Sequence, residues 1–396
     1  MRVTQGLDQS QFLAAIQTLE SGINLTQNQM SSGKQFTTAS QNPTAAGSVN
    51  NYTQALAQSQ QYATNANSAQ TNLNTEDNAL TQFQNELQSL RGLALEAGNG
   101  VLSNTDRAAI ATQAVQIQNS LLSLANTTNG NGEYIFSGFA AQTQPFTLSA
   151  AGATYNGDQG QRQIQIAAGQ TVADGDNGST VFNQIKTGNG TFTVSANAGN
   201  TGSGIIGATT VSNPAAYDGG TYSINFTAPG TYQVKEGATL VTSGTYTDGS
   251  TIAFNGVQVT LSGQPVTGDS FSLAPSGYQS VFTTVQNLVT ALQTGVTTPA
   301  SATSLNNSLN GAINNIDQAL ANTSDVQASV GGRLNAITTQ QSVATSQQTQ
   351  LQQSISKLQS LDFASAITNL DQQNTTLSAA LQAYTLTQGL SLFKYI

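Results

Sequence analysis

The sequence predicts an α+β multidomain protein: a long, coiled-coil-like helical stalk drawn from both termini, with an all-β domain inserted between them. Two observations carry this. Near the start, Phe12, Ile16, Leu19, Ile23 and Met30 follow steps of four and three, with Thr26 in the one polar slot; near the end, Phe363, Ile367, Leu370, Leu377, Leu381 and Tyr384 do the same, with Asn374 as the exception. That spacing keeps residues on one stripe of a helix, as in a coiled-coil seam. The middle is different material. Of 37 glycines, 22 fall between residues 152 and 277, a turn rhythm that belongs to short strands.

The first helix is expected over 1–31, stopping before Ser31-Ser32-Gly33-Lys34. Asn42 is suited to cap the next helix, with Pro43 as its first residue. From Pro43 to Ala97 the pattern stays helical, with the stripe Leu73, Leu80, Phe83, Leu87, Leu90 and Ala94, and Glu76 breaking it. A helix of that extent is about 80 Å long at the usual rise per residue. Ser103 and Asp106 are spaced as a reciprocal capping pair for a third helix, whose stripe is Ile110, Ala114, Ile117, Leu121 and Leu124, and Asn129-Gly130-Asn131-Gly132 closes it.

Tyr134-Ile135-Phe136 then reads as a short strand. Residues 163–166, 191–194, 222–226 and 257–261 alternate apolar with polar, so each strand has one buried and one wet face. Helices resume near Tyr278, with Phe282, Val285, Leu288, Val289 and Leu292 on one face and Leu305, Leu309, Ile313, Ile316 and Leu320 on the next. Val330, Leu334, Ile337, Ala344, Leu351, Ile355 and Leu358 hold heptad positions, with Gln341 and Gln348 inside the seam, and one extra residue shifts the register before Phe363. The expected divisions are a terminal helical region (1–42 and 360–396), a helical rod (43–139 and 279–359) and a projecting β domain (140–278).

Composition narrows function. Only 7% of residues are charged and the net charge is -9, so there is no basic stripe for nucleic acid and no Lys/Arg-rich face for a membrane surface. Cys and His are both absent, which removes disulfides, thiolate metal sites, Cys nucleophiles and every Ser-His-Asp arrangement. No run approaches the roughly 18 apolar residues of a membrane span, and Met1 to Gly6 lack the apolar core of a secretory signal. Nothing calls for a cofactor. Asp174-Gly175-Asp176-Asn177-Gly178 has the oxygen ligands of a calcium loop but no bidentate Glu at the twelfth position, so an ordinary turn is expected there.

Ordered segments of the first 140 residues resemble a known family. Met30-Ser31-Ser32-Gly33-Lys34-Gln35-Phe36 through Asn42-Pro43-Thr44-Ala45-Ala46 resembles the signature after the first helix of bacterial flagellins and their junction relatives. Leu90-Arg91-Gly92-Leu93-Ala94, Leu102-Ser103-Asn104-Thr105-Asp106-Arg107 and Gly132-Glu133-Tyr134-Ile135-Phe136-Ser137-Gly138 follow in family order. The ending, Leu390-Ser391-Leu392-Phe393-Lys394-Tyr395-Ile396, is similar to the hook–filament junction branch; filament flagellins usually finish without it. Gln41 and Gly92 depart from acidic residues common in the family. Residues 140–280 carry no resemblance.

The resemblance implies export through the flagellar type III channel with a cytoplasmic chaperone on the C-terminal helix. It also implies a ring of about eleven subunits between the first hook–filament junction protein and flagellin. The job would be mechanical, adapting a flexible hook to a stiff filament. Filament flagellin is the nearest alternative. On this reading the subunit-assembly residues are Phe12, Ile16, Leu19, Ile23, Met30, Phe363, Ile367, Leu370, Leu377, Leu381, Tyr384, Leu390, Leu392 and Phe393, ordered by assembly; an intramolecular helical hairpin is the plainer reading of the same stripes. Gln341, Gln348, Asn374 and Glu76 would set register or sit at a stripe's edge. Arg91 and Arg107 would reach neighbouring subunits or do nothing. A different class of function would make the β domain a glycan-binding module through Tyr217, Tyr222, Tyr232 and Tyr246; core filling is the plainer role for them. Asp158, Asp218, Asp248 and Asp269 are scattered through turns and give enzyme chemistry no pair to work with.

Overall fold

The computed structural model describes residues 2–150 and 152–389. Three helices open the chain: α1 (Arg2–Ser32), α2 (Pro43–Ala97) and α3 (Asn104–Ala125). Then come β1 (Phe146–Ser149), β2 (Gly152–Tyr155), β3 (Gln163–Ala167), β4 (Gln170–Ala173), a π-helical turn (Ser179–Asn183) and β5 (Ile185–Lys186). Next are β6 (Phe192–Ala196), β7 (Ile205–Val211), β8 (Tyr222–Ala228), β9 (Thr231–Glu236), β10 (Thr239–Thr245), β11 (Thr251–Phe254), β12 (Val257–Ser262), β13 (Ser270–Pro275) and β14 (Tyr278–Gln279). Helices α4 (Val281–Gln293), α5 (Pro299–Gln359) and α6 (Phe363–Gly389) close it. The fold is α+β, with helices from both termini around a central β region.

The caps expected from the sequence form as drawn. The Asn42 side chain accepts the Ala45 N–H at 3.0 Å ahead of Pro43. Ser103 Oγ accepts the Asp106 N–H at 3.2 Å and Asp106 accepts the Ser103 N–H at 3.0 Å, satisfying donors that a helix start leaves orphaned. α3 stops earlier than expected, at Ala125, because the side chain of Asn126 turns away to hold β1: its Oδ1 accepts the Phe146 N–H and its Nδ2 donates to the Phe146 carbonyl, both at 2.9 Å. Tyr134-Ile135-Phe136 is not a strand. Tyr134 makes a single bridge to Thr128, and Phe136 is pulled into the core instead.

The chain divides into two units, 1–64 with 340–396, and 65–339. The second unit contains two cores rather than the single β domain expected over 140–278. Five rings, Phe83 of α2, Phe136, Phe146 of β1, Phe182 of the π-helical turn and Phe282 of α4, meet with centroids 4.7 to 6.3 Å apart. Leu73, Leu80, Leu87 and Leu90 of α2, Leu121 of α3, Leu288 and Leu292 of α4 and Leu309, Ile316 and Ile337 of α5 belong to the same buried cluster. Residues 146–186 therefore belong to the helical core. Their sequence looks β-like, but their apolar residues are too few to make a core without the helices.

Residues 192–275 have a separate core. Five antiparallel strands in the order β10-β9-β8-β13-β6 and three in the order β11-β12-β7 enclose Tyr222, Ile224, Phe226, Val257, Val259, Leu261, Phe271 and Leu273. Burial alternates along β8, β12 and β13, as strands with one wet face require. Asn255 and Gly256, both at positive φ, make the two-residue turn between β11 and β12, the pair best tolerated there.

This module meets α5 through carboxamides. Asn307 Oδ1 accepts the Ile206 N–H at 2.7 Å and its Nδ2 donates to Gly204 O at 3.0 Å. Asn310 donates to Ile206 O at 2.9 Å, and Asn315 accepts the Gly188 N–H at 2.8 Å. An open, polar cleft of about 350 Å³ lies beside this clamp, lined among others by Thr193, Ser195, Asn287 and Ser308.

Candidate assembly surface

Within the first unit, α1 packs antiparallel on α6. The sequence fixes the contact. Phe12 stacks on Tyr384 with centroids 5.6 Å apart, Gln9 donates to the Tyr384 hydroxyl at 3.1 Å, and Thr26 donates to Gln373 Oε1 at 3.3 Å. Ile16, Ile23 and Thr26 of α1 and Ala366 of α6 are buried; Phe12, Leu19, Met30, Leu370, Gln373, Leu377, Ala380 and Tyr384 are half-buried. The steps 366, 370, 373, 377, 380 and 384 alternate four and three, a narrow seam of the coiled-coil type. The arrangement is the hairpin within one chain.

The α6 stripe read from the sequence splits here. Leu370, Leu377 and Tyr384 turn toward α1, but Phe363, Ile367 and Leu381 stay 49%, 47% and 46% exposed. A two-helix contact covers only one narrow stripe, and Ala366 and Ala380 take the inner positions because a small side chain lets the helices close. The apolar spacing of α6 thus covers two adjacent stripes, of which the hairpin uses one. Leu13 and Leu25 of α1 and Leu386 of α6 add to the uncovered apolar surface. Leu390, Leu392 and Phe393 lie outside the described residues.

The breaks flanking the pair are joined to each other. The Gln35 N–H donates to Gln359 O at 2.8 Å and the Leu361 N–H to Gly33 O at 3.0 Å. Gly33, at φ +67, supplies the left-handed residue that ends α1. Gln41 accepts the Thr37 N–H through Oε1 at 2.7 Å, so an uncharged side chain supplies the acceptor this loop needs. Asp362 caps α6, accepting the Ala364 N–H at 3.0 Å, and its bonds to Ser365 hold its carboxyl below the usual range. Gln348 donates to Ser59 Oγ at 3.4 Å inside this unit, while Asn374 is exposed.

Other flagged residues have local partners. Arg91 pairs with Asp317 at 2.6 Å, and Arg107, buried, donates to Leu102 O and Asn104 Oδ1. Tyr222 and Tyr246 are core residues; Tyr246 donates to Leu261 O and Gly263 O, and Tyr217 and Tyr232 pack against the same core. Asp158, Asp218, Asp248 and Asp269 each accept a backbone N–H, from Phe139, Gly220, Gly263 and Thr201 respectively. Asp174 and Asp176 bind Arg162 and Arg333, so the loop holds ion pairs. Among the described residues no group of three or more acidic side chains is arranged to hold a metal, and no helix is long and apolar enough to cross a membrane.

Comparison with known proteins follows the same geometry. Residues 5–141 match the bacterial flagellin N-terminal helical region, and residues 313–396 match its C-terminal helical region. A crystal structure of Xanthomonas campestris FlgL is 37% identical, covers 73% of this chain and 99% of its own, and superposes with a TM-score of 0.69. The flagellar hook-associated protein 3 structure from Legionella pneumophila is 31% identical over 78% of this chain and 98% of its own, with a TM-score of 0.74. The chain belongs to the FlgL, or flagellar hook-associated protein 3, family. Flagellar hook-associated protein 3 of Salmonella typhimurium is 37% identical over 157 residues, which is 40% of this FlgL-family chain and 49% of the Salmonella protein. The chain thus spans about half the length of the curated relatives it matches. Residues 195–275 match the D2-like domain of flagellar hook-associated protein 1, a likeness sequence reading missed because Gly-rich alternation is common to many β modules.

Proposed function

We propose that this protein is a structural subunit of the bacterial flagellum, located outside the cell where hook meets filament, and that it carries no catalytic activity. It joins the first junction protein to flagellin as a ring of about eleven copies, a closed cyclic assembly. Before export a cytoplasmic chaperone covers its C-terminal helix. The observation that carries this reading is the second apolar stripe: Phe363, Ile367 and Leu381 face solvent on a helix whose inner stripe is already used. Large apolar side chains left in a row on a paired helix suit contact with neighbouring subunits. The seam residues, Phe12, Ile16, Leu19, Ile23, Met30, Leu370, Leu377 and Tyr384, keep that surface in register.

Immunogold labelling of isolated flagella with antibody to residues 140–280 tests the reading. A narrow band between hook and filament is expected. Label along the whole filament would make the protein a flagellin.

A further inference from the structure

Among the described residues Glu76 stands apart from every other carboxylate. It interrupts the apolar stripe of α2 between Leu73 and Leu80, it is 1% exposed, and neither carboxylate oxygen has a hydrogen-bond donor. The loop after β4 passes over it: a Cβ added at Gly175 would sit 3.9 Å from its Oε2. The nearest cation is already engaged. Arg333 of α5 pairs with Asp176 of that loop, and it also donates to Ala173 O at 3.4 Å. Asp176 receives a second bond from Gln161 at 2.7 Å. Asp174, also in the loop, is held by Arg162 at 2.5 Å and by Asn72 at 3.1 Å.

One cation thus serves two carboxyl groups. An ionised Glu76 would be a buried charge beside a second carboxylate, with only the Asp176 backbone N–H near enough to favour it, which is expensive; a protonated Glu76 is neutral and gains an O–H to donate. We propose that Glu76, Asp176 and Arg333 form a single-proton lock joining α2, the loop 174–178 and α5, closed while Glu76 keeps its proton and loosened when it loses it. Burial pushes the Glu76 carboxyl well above its ordinary range and the Asp176 carboxylate pushes it further, while Arg333 and the Asp176 backbone N–H oppose them. The folded protein therefore binds a proton that the unfolded chain releases near about pH 4.3. Stability conferred by the lock falls as pH rises from there to the raised folded value, and is constant beyond it.

The test compares the full-length protein with Glu76→Gln in urea unfolding across a pH series. Gln is nearly isosteric and keeps a donor for Asp176. Expected is an unfolding constant of the wild type that rises, relative to the variant, by up to about tenfold per pH unit through the window. Identical pH dependence in both proteins overturns the lock. Independently of how the variant folds, carboxyl NMR of glutamate-labelled wild type should show one side chain titrating far above the rest. All glutamates titrating in the ordinary range would overturn the proposal as well.

Discussion

Phe182→Ala is the sharpest perturbation of the two-core organisation. Phe182 is 1% exposed and its ring lies 4.7 Å from Phe83, 4.9 Å from Phe136, 5.6 Å from Phe146 and 6.3 Å from Phe282. Truncating a buried Phe to Ala costs about 3–5 kcal/mol, from lost transfer energy and the cavity left behind. The tilted and edge-on ring pairs lost with it keep this site above the lower end. About 4 kcal/mol is close to a thousandfold in the local unfolding constant. Amide exchange by mass spectrometry reads that segment by segment. Peptides from α3 and α4 should lose protection by that factor, while those from β8 and β12 keep theirs. Loss of protection in β8 and β12 with the helices unchanged would place residues 146–186 with the wrong core. Equal loss in both would make the two cores one cooperative unit.

The outer stripe of α6 separates assembly from folding: Ile367→Asp or Leu381→Asp should leave the monomer within about 0.5 kcal/mol of wild-type stability while abolishing incorporation at the hook–filament boundary. Leu377→Asp, on the inner stripe, should instead unpair α1 from α6, seen as lost helical circular dichroism. Burial pushes the Tyr155 phenol up to about 12, and its hydroxyl donates to Asp158 O at 2.6 Å. The folded phenol keeps its proton longer than the unfolded one, so this contribution is complete below about pH 10 and disappears as pH rises toward the folded value. Tyr155→Phe should flatten alkaline unfolding in that window, measured by phenolate absorbance and melting temperature. Asn307→Ala should raise exchange at the Ile206 amide and cost about 1 kcal/mol, the low end for an unmade bond because the neighbouring cleft admits water.

Local chemistry made much of the fold legible. Asn42-Pro43, Ser103 with Asp106 and the register shift before Phe363 marked real helix ends, since each is a backbone requirement met by a nearby side chain. The stripe Leu73 to Ala94 was legible because α2 buries one face along this stretch. Legibility failed where distant residues decided the outcome. Phe136 looks like a strand residue until α2 and α4 are present to receive it. Asn126 ends α3 early because of Phe146, twenty positions on. At the assembly surface the period of α6 was visible, but which of its two stripes meets α1 depends on the small residues Ala366 and Ala380. Asn255-Gly256 was a readable hairpin signal that the glycine density around it obscured.

The asparagines of α5 grip main-chain atoms only: those of Gly204 and Ile206 in the 192–275 module and of Gly188 just ahead of it. Such a socket bonds to no side chain of what it holds, although Gly188, at φ +64, and Gly204, packed on Phe271 and Pro265, leave no room for a Cβ. Any insert that offers an N–H and a carbonyl at the same edge can be grafted there without redesigning the helix, and it can then diverge outward at will. Interchangeable fittings on a constant rod follow from three carboxamides.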